Sequence, residues 1–171
     1  MISKPAIFLL TILPGIVLGA VTVPEKHAAP VACERTIFIN AAPEVVWQLL
    51  TDINSWPHIF KNVSVAKMNR PVSPGVTFRW KAGGASIHST LRVVNPCRQL
   101  AWTGRAYTIA AVHEWQLKAV NNGTELTVTE SMNGFIARLF KKSLTRSLGK
   151  DMTQSLDELK QASEHSTPGN R

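Results

Sequence analysis

His113 and Glu130 are the residues whose types and spacing best suit chemistry. They fall on two consecutive predicted strands, Val112–Val120 and Thr124–Met132, which an Asn-Asn-Gly turn joins. Each shares its face of the strand with apolar side chains, because the side chains of a strand alternate between two faces. An imidazole beside a carboxylate on an apolar surface can orient a ligand hydroxyl, carbonyl or carboxyl group, and it can also transfer a proton.

The register of these two strands follows from their apolar residues. Partners in an antiparallel pair have residue numbers of constant sum, so pairing Leu117 with Leu126 also pairs His113 with Glu130. A buried carboxylate without a partner is costly, which favours the same register. Three interpretations follow: a polar anchor for a ligand, a mutually satisfied pair that only fixes the register, or a catalytic pair in which Glu130 holds His113 in one tautomer.

Large apolar side chains occupy other positions that are predicted to face the same interior. Each of them serves core packing, and the set as a whole is expected to border a ligand cavity in part. Besides the His–Glu pair, the predicted ligand-contacting residues are Phe78, Trp80, Trp102 and Trp115 on strands, with Ile136 and Phe140 on the last helix.

The elements that position these residues follow from changes in hydrophobic period. Arg35–Asn40 is a predicted strand, Pro43 opens a helix, and Asn54–Pro57 breaks that helix and starts a second short one. Six segments with the period of a strand come next. After Gly134 the period becomes helical, and one long amphipathic helix is predicted to about Ser163. The sequence therefore predicts an α+β fold, a seven-stranded, mostly antiparallel sheet with a long C-terminal helix across it.

Recognised catalytic motifs are absent from the sequence. There is no G-x-S-x-G, no H-E-x-x-H, no P-loop and no C-x-x-C, and the five histidines lack metal-ligand spacing. We therefore expect no metal site and no cofactor.

Three segments resemble the helix-grip superfamily (SRPBCC, or START/Bet v 1-like) and, within it, the polyketide cyclase/dehydrase-like bacterial branch. They are Ala42–Trp47 at the first helix, Asp52–Pro57 at the helix break, and Gly123–Gly134 before the last helix, and the resemblance covers about residues 34–163. It implies a curved sheet and a cavity under the long helix that binds hydrophobic small molecules or lipids. It also implies that Cys33 and Cys97 lie at opposite ends of the sheet, so two free thiols are expected.

The N-terminal residues 1–23 are expected to precede this domain. Ile7–Val23 is almost wholly apolar and uncharged, which is typical of an export signal peptide or of an uncleaved membrane anchor. Either interpretation places the domain outside the cytoplasmic membrane, in the periplasm or tethered to the outer side of that membrane. Residues 24–33 are predicted to be a linker and residues 164–171 a polar tail.

Composition and charge narrow the class of protein. The 171 residues are 44% apolar and 18% charged, with 19 Lys+Arg against 11 Asp+Glu and a net charge of +8. This composition excludes a disordered chain, and two cysteines exclude a disulfide-dense scaffold.

A basic stripe lies opposite the predicted apolar face of the long helix and is either a solvated face or a contact for an anionic membrane surface. No aromatic residues are interleaved with the stripe, so nucleic acid is not an expected partner. The stripe consists of Arg138, Lys142, Arg146 and Lys150.

The leading functional expectation is an exported binding or carrier protein for a hydrophobic small molecule or lipid. The alternative is a cyclase/dehydratase-type enzyme that uses His113 and Glu130 on a polyketide-like or other cyclic substrate. A third class is a membrane-associated interaction module that works through the basic stripe.

Overall fold

The computed structural model describes residues 29–166, which form a seven-stranded antiparallel sheet with helices packed on its inner face, the face that carries His113 and Glu130. Along the chain the elements are β1 (Val31–Ile39), α1 (Pro43–Thr51), α2 (Trp56–Ile59), β2 (Val63–Lys67), β3 (Thr77–Ala82), β4 (Ala85–Asn95), β5 (Gln99–Ala106), β6 (Ile109–Val120), β7 (Gly123–Asn133), α3 (Phe135–Leu139) and α4 (Lys141–Ser166), with a 3-10 turn at Ile53–Ser55. The strand order is β1-β7-β6-β5-β4-β3-β2. The predicted α+β class and the predicted element order are confirmed.

Two boundaries differ from the sequence prediction. β1 begins at Val31 rather than Arg35, so the last residues of the predicted linker, 24–33, belong to the sheet. Val31 is fully buried at the start of this strand. At the other end α4 continues to Ser166, into the predicted polar tail. The predicted N-terminal segment 1–23 and residues 167–171 lie outside the described residues.

The C-terminal helix is divided, whereas the sequence predicts one continuous helix. Phe140, with φ −108° and ψ 27°, separates α3 from α4. The Phe140 side chain is 54% exposed, so the prediction that it faces the interior is wrong. Ile136 is half-buried on α3. α3 contributes only Ala137 to the buried core, whereas α4 contributes Leu148, Met152 and Leu156 among others.

The first helix illustrates how local sequence and packing act together. Pro43 occupies the first turn, where a missing N–H costs nothing, and Ala42 supplies no side-chain cap. Val46 and Leu50, one turn apart, are fully buried. α1 packs against α4 and against β6 and β7, so it closes one end of the inner face.

Candidate functional site

The His–Glu pair occurs in the structure in the register that the sequence predicts. His113 is the antiparallel partner of Glu130, and Leu117 is the partner of Leu126. The His113 Nδ1 atom lies 2.6 Å from Glu130 Oε2. The two side chains are 13% and 14% exposed, so the pair lies at the edge of the interior.

The hydrogen bond decides which imidazole nitrogen is available to a ligand. An ionised carboxylate only accepts hydrogen bonds, so Nδ1–H donates to Glu130 and Nε2 of the neutral ring is an acceptor. Nε2 is buried, and none of the described residues offers it a hydrogen-bond partner. The Trp115 Nε1–H donor, two residues along the same strand, is also buried without a partner among the described residues. Buried polar atoms in native proteins normally have partners, so these two nitrogens are positions that a bound water or a ligand group would satisfy.

Two indole rings lie next to the imidazole. Trp102 is the β5 partner of His113, and the two rings are stacked with centroids 4.5 Å apart and planes inclined by 6°. The Trp115 ring lies 5.5 Å from the imidazole centroid on the same strand. This packing fixes the ring plane of His113 and therefore the direction of Nε2.

Trp56 lies at the centre of the aromatic cluster, which the sequence does not indicate. Its ring is within 5.9 Å of four other aromatic rings, and its Nε1–H donates to the carbonyl of Leu50 at 3.0 Å. Phe78 contacts Trp56 and Trp102 edge-on and is 2% exposed, so Phe78 is a core residue. The four rings around Trp56 are Phe60, Phe78, Trp80 and Trp102.

A cavity of about 220 Å³ adjoins the His–Glu pair, between the inner face of the sheet and α4. A smaller void of about 50 Å³ extends it toward Trp56 and Trp102. Ile136 and Phe140 are not among the lining residues, so their predicted ligand contact is not supported by their position. The walls are mainly apolar, with polar groups concentrated near His113. Residues shared by the cavity and the smaller void are Val63, Trp80, His113, Trp115 and Ser155.

Asp151 of α4 is a cavity residue that the sequence reasoning missed. Its side chain lines the cavity while the residue is exposed, so it lies at the opening, as do Asn62 and Gly83. Desolvation by burial raises the pKa of Asp151, the nearby Glu130 charge raises it further, and a hydrogen bond from Ser147 opposes both. The spacing of Ser147, Asp151 and Ser155, one turn apart beside the buried stripe of α4, is the sequence signal that predicts their common face.

The four residues of the predicted basic stripe are exposed, but they lie on two different helices and have different neighbours. Arg138 lies on α3, whereas Lys142, Arg146 and Lys150 lie on α4. Arg146 and Lys150 border a shallow groove that also contains the acidic residues Asp157 and Glu158.

More of the positive charge lies on the outer face of the sheet than the sequence analysis indicates. There a groove of about 840 Å³, here called the outer basic groove, is bordered by five exposed cations and a histidine. Four of these six form a row of direct cross-strand neighbours: Lys67, Arg79, His88 and Arg105. Like charges in such positions destabilise a sheet. The lining side chains are Lys67, Arg70, Arg79, His88, Arg92 and Arg105.

Other sequence predictions concern metal and thiol chemistry and membrane spans. Within residues 29–166 no group of three or more His, Cys, Asp or Glu is placed to bind a metal ion. Cys33, on β1, and Cys97, in the turn between β4 and β5, are both free. Over the same residues, none of the helices combines the length and apolar character needed to cross a bilayer.

Comparison with known proteins identifies the family. Residues 30–164 match the family described as polyketide cyclase / dehydrase and lipid transport. The chain belongs to this family. The match begins within one residue of β1 and ends within α4, so it spans the sheet and the cavity. No curated protein matches the sequence closely enough to count as a relative.

Solved structures of other proteins share the fold at low sequence identity. The ZhuI aromatase/cyclase from Streptomyces sp. R1128 is 15% identical with a TM-score of 0.68, over 81% of this chain and 97% of that one. A hypothetical protein from Helicobacter pylori is 20% identical with a TM-score of 0.68, over 78% and 86% of the two chains. The di-domain ARO/CYC StfQ from the steffimycin biosynthetic pathway is 16% identical with a TM-score of 0.69, over 79% of this chain and 51% of StfQ. These likenesses show the helix-grip fold.

Proposed function

We propose that this protein is a binding or carrier protein for a small hydrophobic molecule that bears a hydroxyl group. The observation that carries the proposal is the pair of orphaned nitrogens, His113 Nε2 and Trp115 Nε1, on residues that line an apolar cavity. Family membership supports the binding of a hydrophobic molecule in this fold. The choice of a hydroxyl and of a compact ligand comes from the geometry of the cavity.

The volume of the cavity limits the ligand. An apolar cavity of about 150 Å³ binds benzene, and drug-sized ligands need roughly 300 Å³ or more. A volume of about 220 Å³ suits a molecule of one or two rings and is too small for a lipid with two acyl chains. Trp80 and Trp115 supply flat apolar walls for such rings.

The polar end of the cavity selects a neutral hydroxyl. A hydroxyl donates one hydrogen bond and accepts others, so it matches an acceptor at His113 Nε2 and a donor at Trp115 Nε1. Glu130 and Asp151 also line the cavity, and their negative charges disfavour a ligand carboxylate. A hydrocarbon fills the apolar part but leaves both nitrogens unpaired.

Three bicyclic probes of similar size test this selection: naphthol, naphthalene and naphthoate. Isothermal titration of the full chain is expected to give the tightest binding for naphthol, because only naphthol satisfies the two nitrogens without adding charge. His113→Phe keeps a flat ring and removes Nε2, so naphthol affinity is expected to fall about tenfold toward that of naphthalene, a loss equal to one hydrogen bond. Trp115→Phe is the matched variant that removes the Nε1–H donor and keeps a smaller flat ring in the wall.

Naphthalene serves as the control for cavity integrity, because its affinity reports apolar contact alone, and the ratio of naphthol to naphthalene affinity isolates the hydrogen bonds. Equal affinity of the unchanged protein for all three probes would contradict the proposal. So would a His113→Phe variant that retains its preference for naphthol. Native mass spectrometry of the purified protein would then identify a copurifying molecule of another class.

A cyclase/dehydratase-type enzyme is the second candidate, and the bond between Glu130 and His113 Nδ1 is the observation that favours it. In the dehydration of a β-hydroxy ketone, Nε2 takes the proton from the carbon next to the carbonyl. The carbon–carbon double bond forms as the carbon–oxygen bond breaks, and the leaving hydroxide takes the same proton back from Nε2–H of the imidazolium to become water, which restores the neutral ring. Glu130 stabilises the resulting imidazolium.

The aldol adduct of benzaldehyde and acetone separates the two candidates, because its dehydration product, benzalacetone, absorbs in the ultraviolet. The carrier function predicts no product above the buffer rate. The enzymatic function predicts product formation that His113→Phe abolishes and Glu130→Gln lowers.

We also propose that the domain acts outside the cytoplasmic membrane, as a periplasmic or membrane-tethered protein. The support is the apolar, uncharged run Ile7–Val23. Mass spectrometry of the protein from fractionated cells tests this. A chain with intact Met1 in the soluble cytosolic fraction would contradict export.

A further inference from the structure

Four large hydrophobic side chains are exposed around α3. They lie at one end of the sheet, because the turn between β5 and β6 passes directly beside the start of α3: a Cβ atom on Gly134 would overlap the carbonyl oxygen of Thr108. Soluble domains rarely expose several large apolar side chains in one place unless the place binds something. The four, with their exposed fractions, are Tyr107 (84%), Phe135 (72%), Leu139 (63%) and Phe140 (54%).

Positive charges are interleaved with these side chains. Arg138 precedes Leu139, and Lys141 and Lys142 follow Phe140, all three exposed. The sequence contains no Asp or Glu between residues 131 and 150, so no carboxylate of this segment balances them. Together the four hydrophobic residues and these three cations are called the α3 surface.

We propose that the α3 surface docks on an anionic phospholipid bilayer. Exposed aromatic and aliphatic side chains enter the boundary between headgroups and acyl chains, and neighbouring lysines and arginines contact lipid phosphates. The combination of both residue types on one short segment matches the chemistry of that boundary. The proposal does not depend on the ligand of the cavity.

A second copy of the chain is a poorer occupant of the same surface. A symmetric dimer places the same patch of both copies face to face, so three cations of one copy would meet three of the other. Like charges brought together in this way oppose association. Lipid phosphates, in contrast, are complementary to the patch.

The remaining positive surfaces offer charge without apolar contact. The side chains of the outer basic groove are polar or charged except for Phe78, which is buried. Arg146 and Lys150 border a groove that contains two acidic residues. Of the predicted stripe, only Arg138 and Lys142 therefore belong to the proposed membrane contact, and Lys141 joins them.

Vesicle flotation of the full chain tests the proposal. The probes are vesicles of phosphatidylcholine alone and mixed vesicles of phosphatidylcholine and phosphatidylglycerol. We expect the unchanged protein to bind mixed vesicles more tightly, with affinity that falls as salt is raised.

Two combined variants remove the two parts of the surface separately. Phe135→Ser with Phe140→Ser is expected to weaken binding at least tenfold. Arg138→Gln with Lys141→Gln and Lys142→Gln is expected to weaken it about fivefold for each cation and to remove most of the salt dependence. These side chains are exposed, so the fold is expected to persist, and circular dichroism checks this.

The matched control removes three cations from the outer basic groove: Lys67→Gln, Arg79→Gln and Arg105→Gln. It lowers the net charge by the same amount and is expected to leave vesicle binding within twofold of the unchanged protein. If the control variant weakened vesicle binding as much as the α3 variants do, the proposal would be overturned in favour of non-specific electrostatic binding. Unchanged vesicle binding by both α3 variants would also overturn the proposal. A third contrary outcome is a Phe135/Phe140 variant that still binds vesicles normally but no longer self-associates in sedimentation velocity. The apolar segment 7–23 is uncharged, so binding through it depends on neither salt nor headgroup charge, and these two dependences report the α3 surface.

Discussion

The Trp102 indole lies flat against the His113 imidazole, with the two planes inclined by only 6° and the centroids 4.5 Å apart. The contact joins the aromatic cluster of the core to the polar end of the cavity. One face of the imidazole is therefore covered by a residue that is itself 3% exposed. The position of His113 Nε2 thus depends on core packing as well as on Glu130.

Replacing Trp102 with Leu is expected to lower both stability and ligand affinity. The loss of a buried indole costs about 3 kcal/mol of unfolding free energy, and the freed imidazole loses its fixed plane. Urea denaturation and naphthol titration measure the two effects. Phe78→Leu is the control, since Phe78 contacts Trp56 and Trp102 in the same core but lines neither the cavity nor its smaller extension. A Trp102→Leu protein with full naphthol affinity would show that the stacking does not position the ring.

The His113–Glu130 hydrogen bond is expected to show strong coupling in a double-mutant cycle. His113→Phe leaves the Glu130 carboxylate without its partner, and Glu130→Leu leaves Nδ1–H without an acceptor, so each change alone is expected to cost about 2 kcal/mol or more. The double variant replaces both groups by apolar ones and is expected to regain much of that loss. Urea denaturation of the four proteins gives the coupling energy. Simple additivity would contradict a close, buried pair.

Asp151→Asn is expected to stabilise the protein near neutral pH. Burial, with the Glu130 charge, raises the pKa of Asp151 in the folded state, so the folded protein binds this proton more tightly than the unfolded chain does. The ionised carboxylate is therefore unfavourable above its folded pKa, and the difference between variant and unchanged protein is expected to vanish as the pH falls below the ordinary value of 3.8. Melting temperatures across pH measure it. Asp157→Asn, an exposed change on the same helix, is the control.

Gly134→Ala is expected to destabilise the protein by about 2 kcal/mol or more. Gly134 has φ +127°, where an L side chain is strained, and the added Cβ would overlap the Thr108 carbonyl oxygen. Thermal or urea unfolding measures the loss. Gly75→Ala separates the two causes, because Gly75 has φ +86° and open space around its Cβ position, so it is expected to lose only about 1 kcal/mol. Similar losses at both positions would show that the overlap at Gly134 is relieved by movement of the turn.

Local sequence predicts the sheet better than the helix that covers it. The pairing of His113 with Glu130 could be predicted because apolar partners such as Leu117 and Leu126 fix the register of the whole hairpin. The break at Phe140 could not, because Phe140 continues the apolar helical period and neither Gly nor Pro marks the break. The contacts that α3 makes with β6 and β7 are long-range, so no local pattern indicates them.

Some cavity residues could likewise be predicted from the sequence, and others could not. The inward aromatics of the strands could be predicted from alternation. The helical spacing of Asp151 indicates its face of α4, but its interaction with Glu130 could not be predicted, since Glu130 is 21 residues earlier and in a different element. The central position of Trp56 was missed for the same reason. One of its four ring partners directly follows α2 and the other three lie on two strands, β3 and β5, so no local pattern brings them together.

An open sheet has two edges, and this one protects them differently. β2, at one edge, is five residues long, ends at Lys67 and has a register shift between Val63 and Val65. A short, irregular, charged edge is a poor template for a strand from another molecule. β1, at the opposite edge, is nine residues long and lies against α4, with Glu34 and Arg35 near its middle. The short, irregular β2 and the α4 helix beside β1 therefore both disfavour edge-to-edge polymerisation of the protein at high concentration.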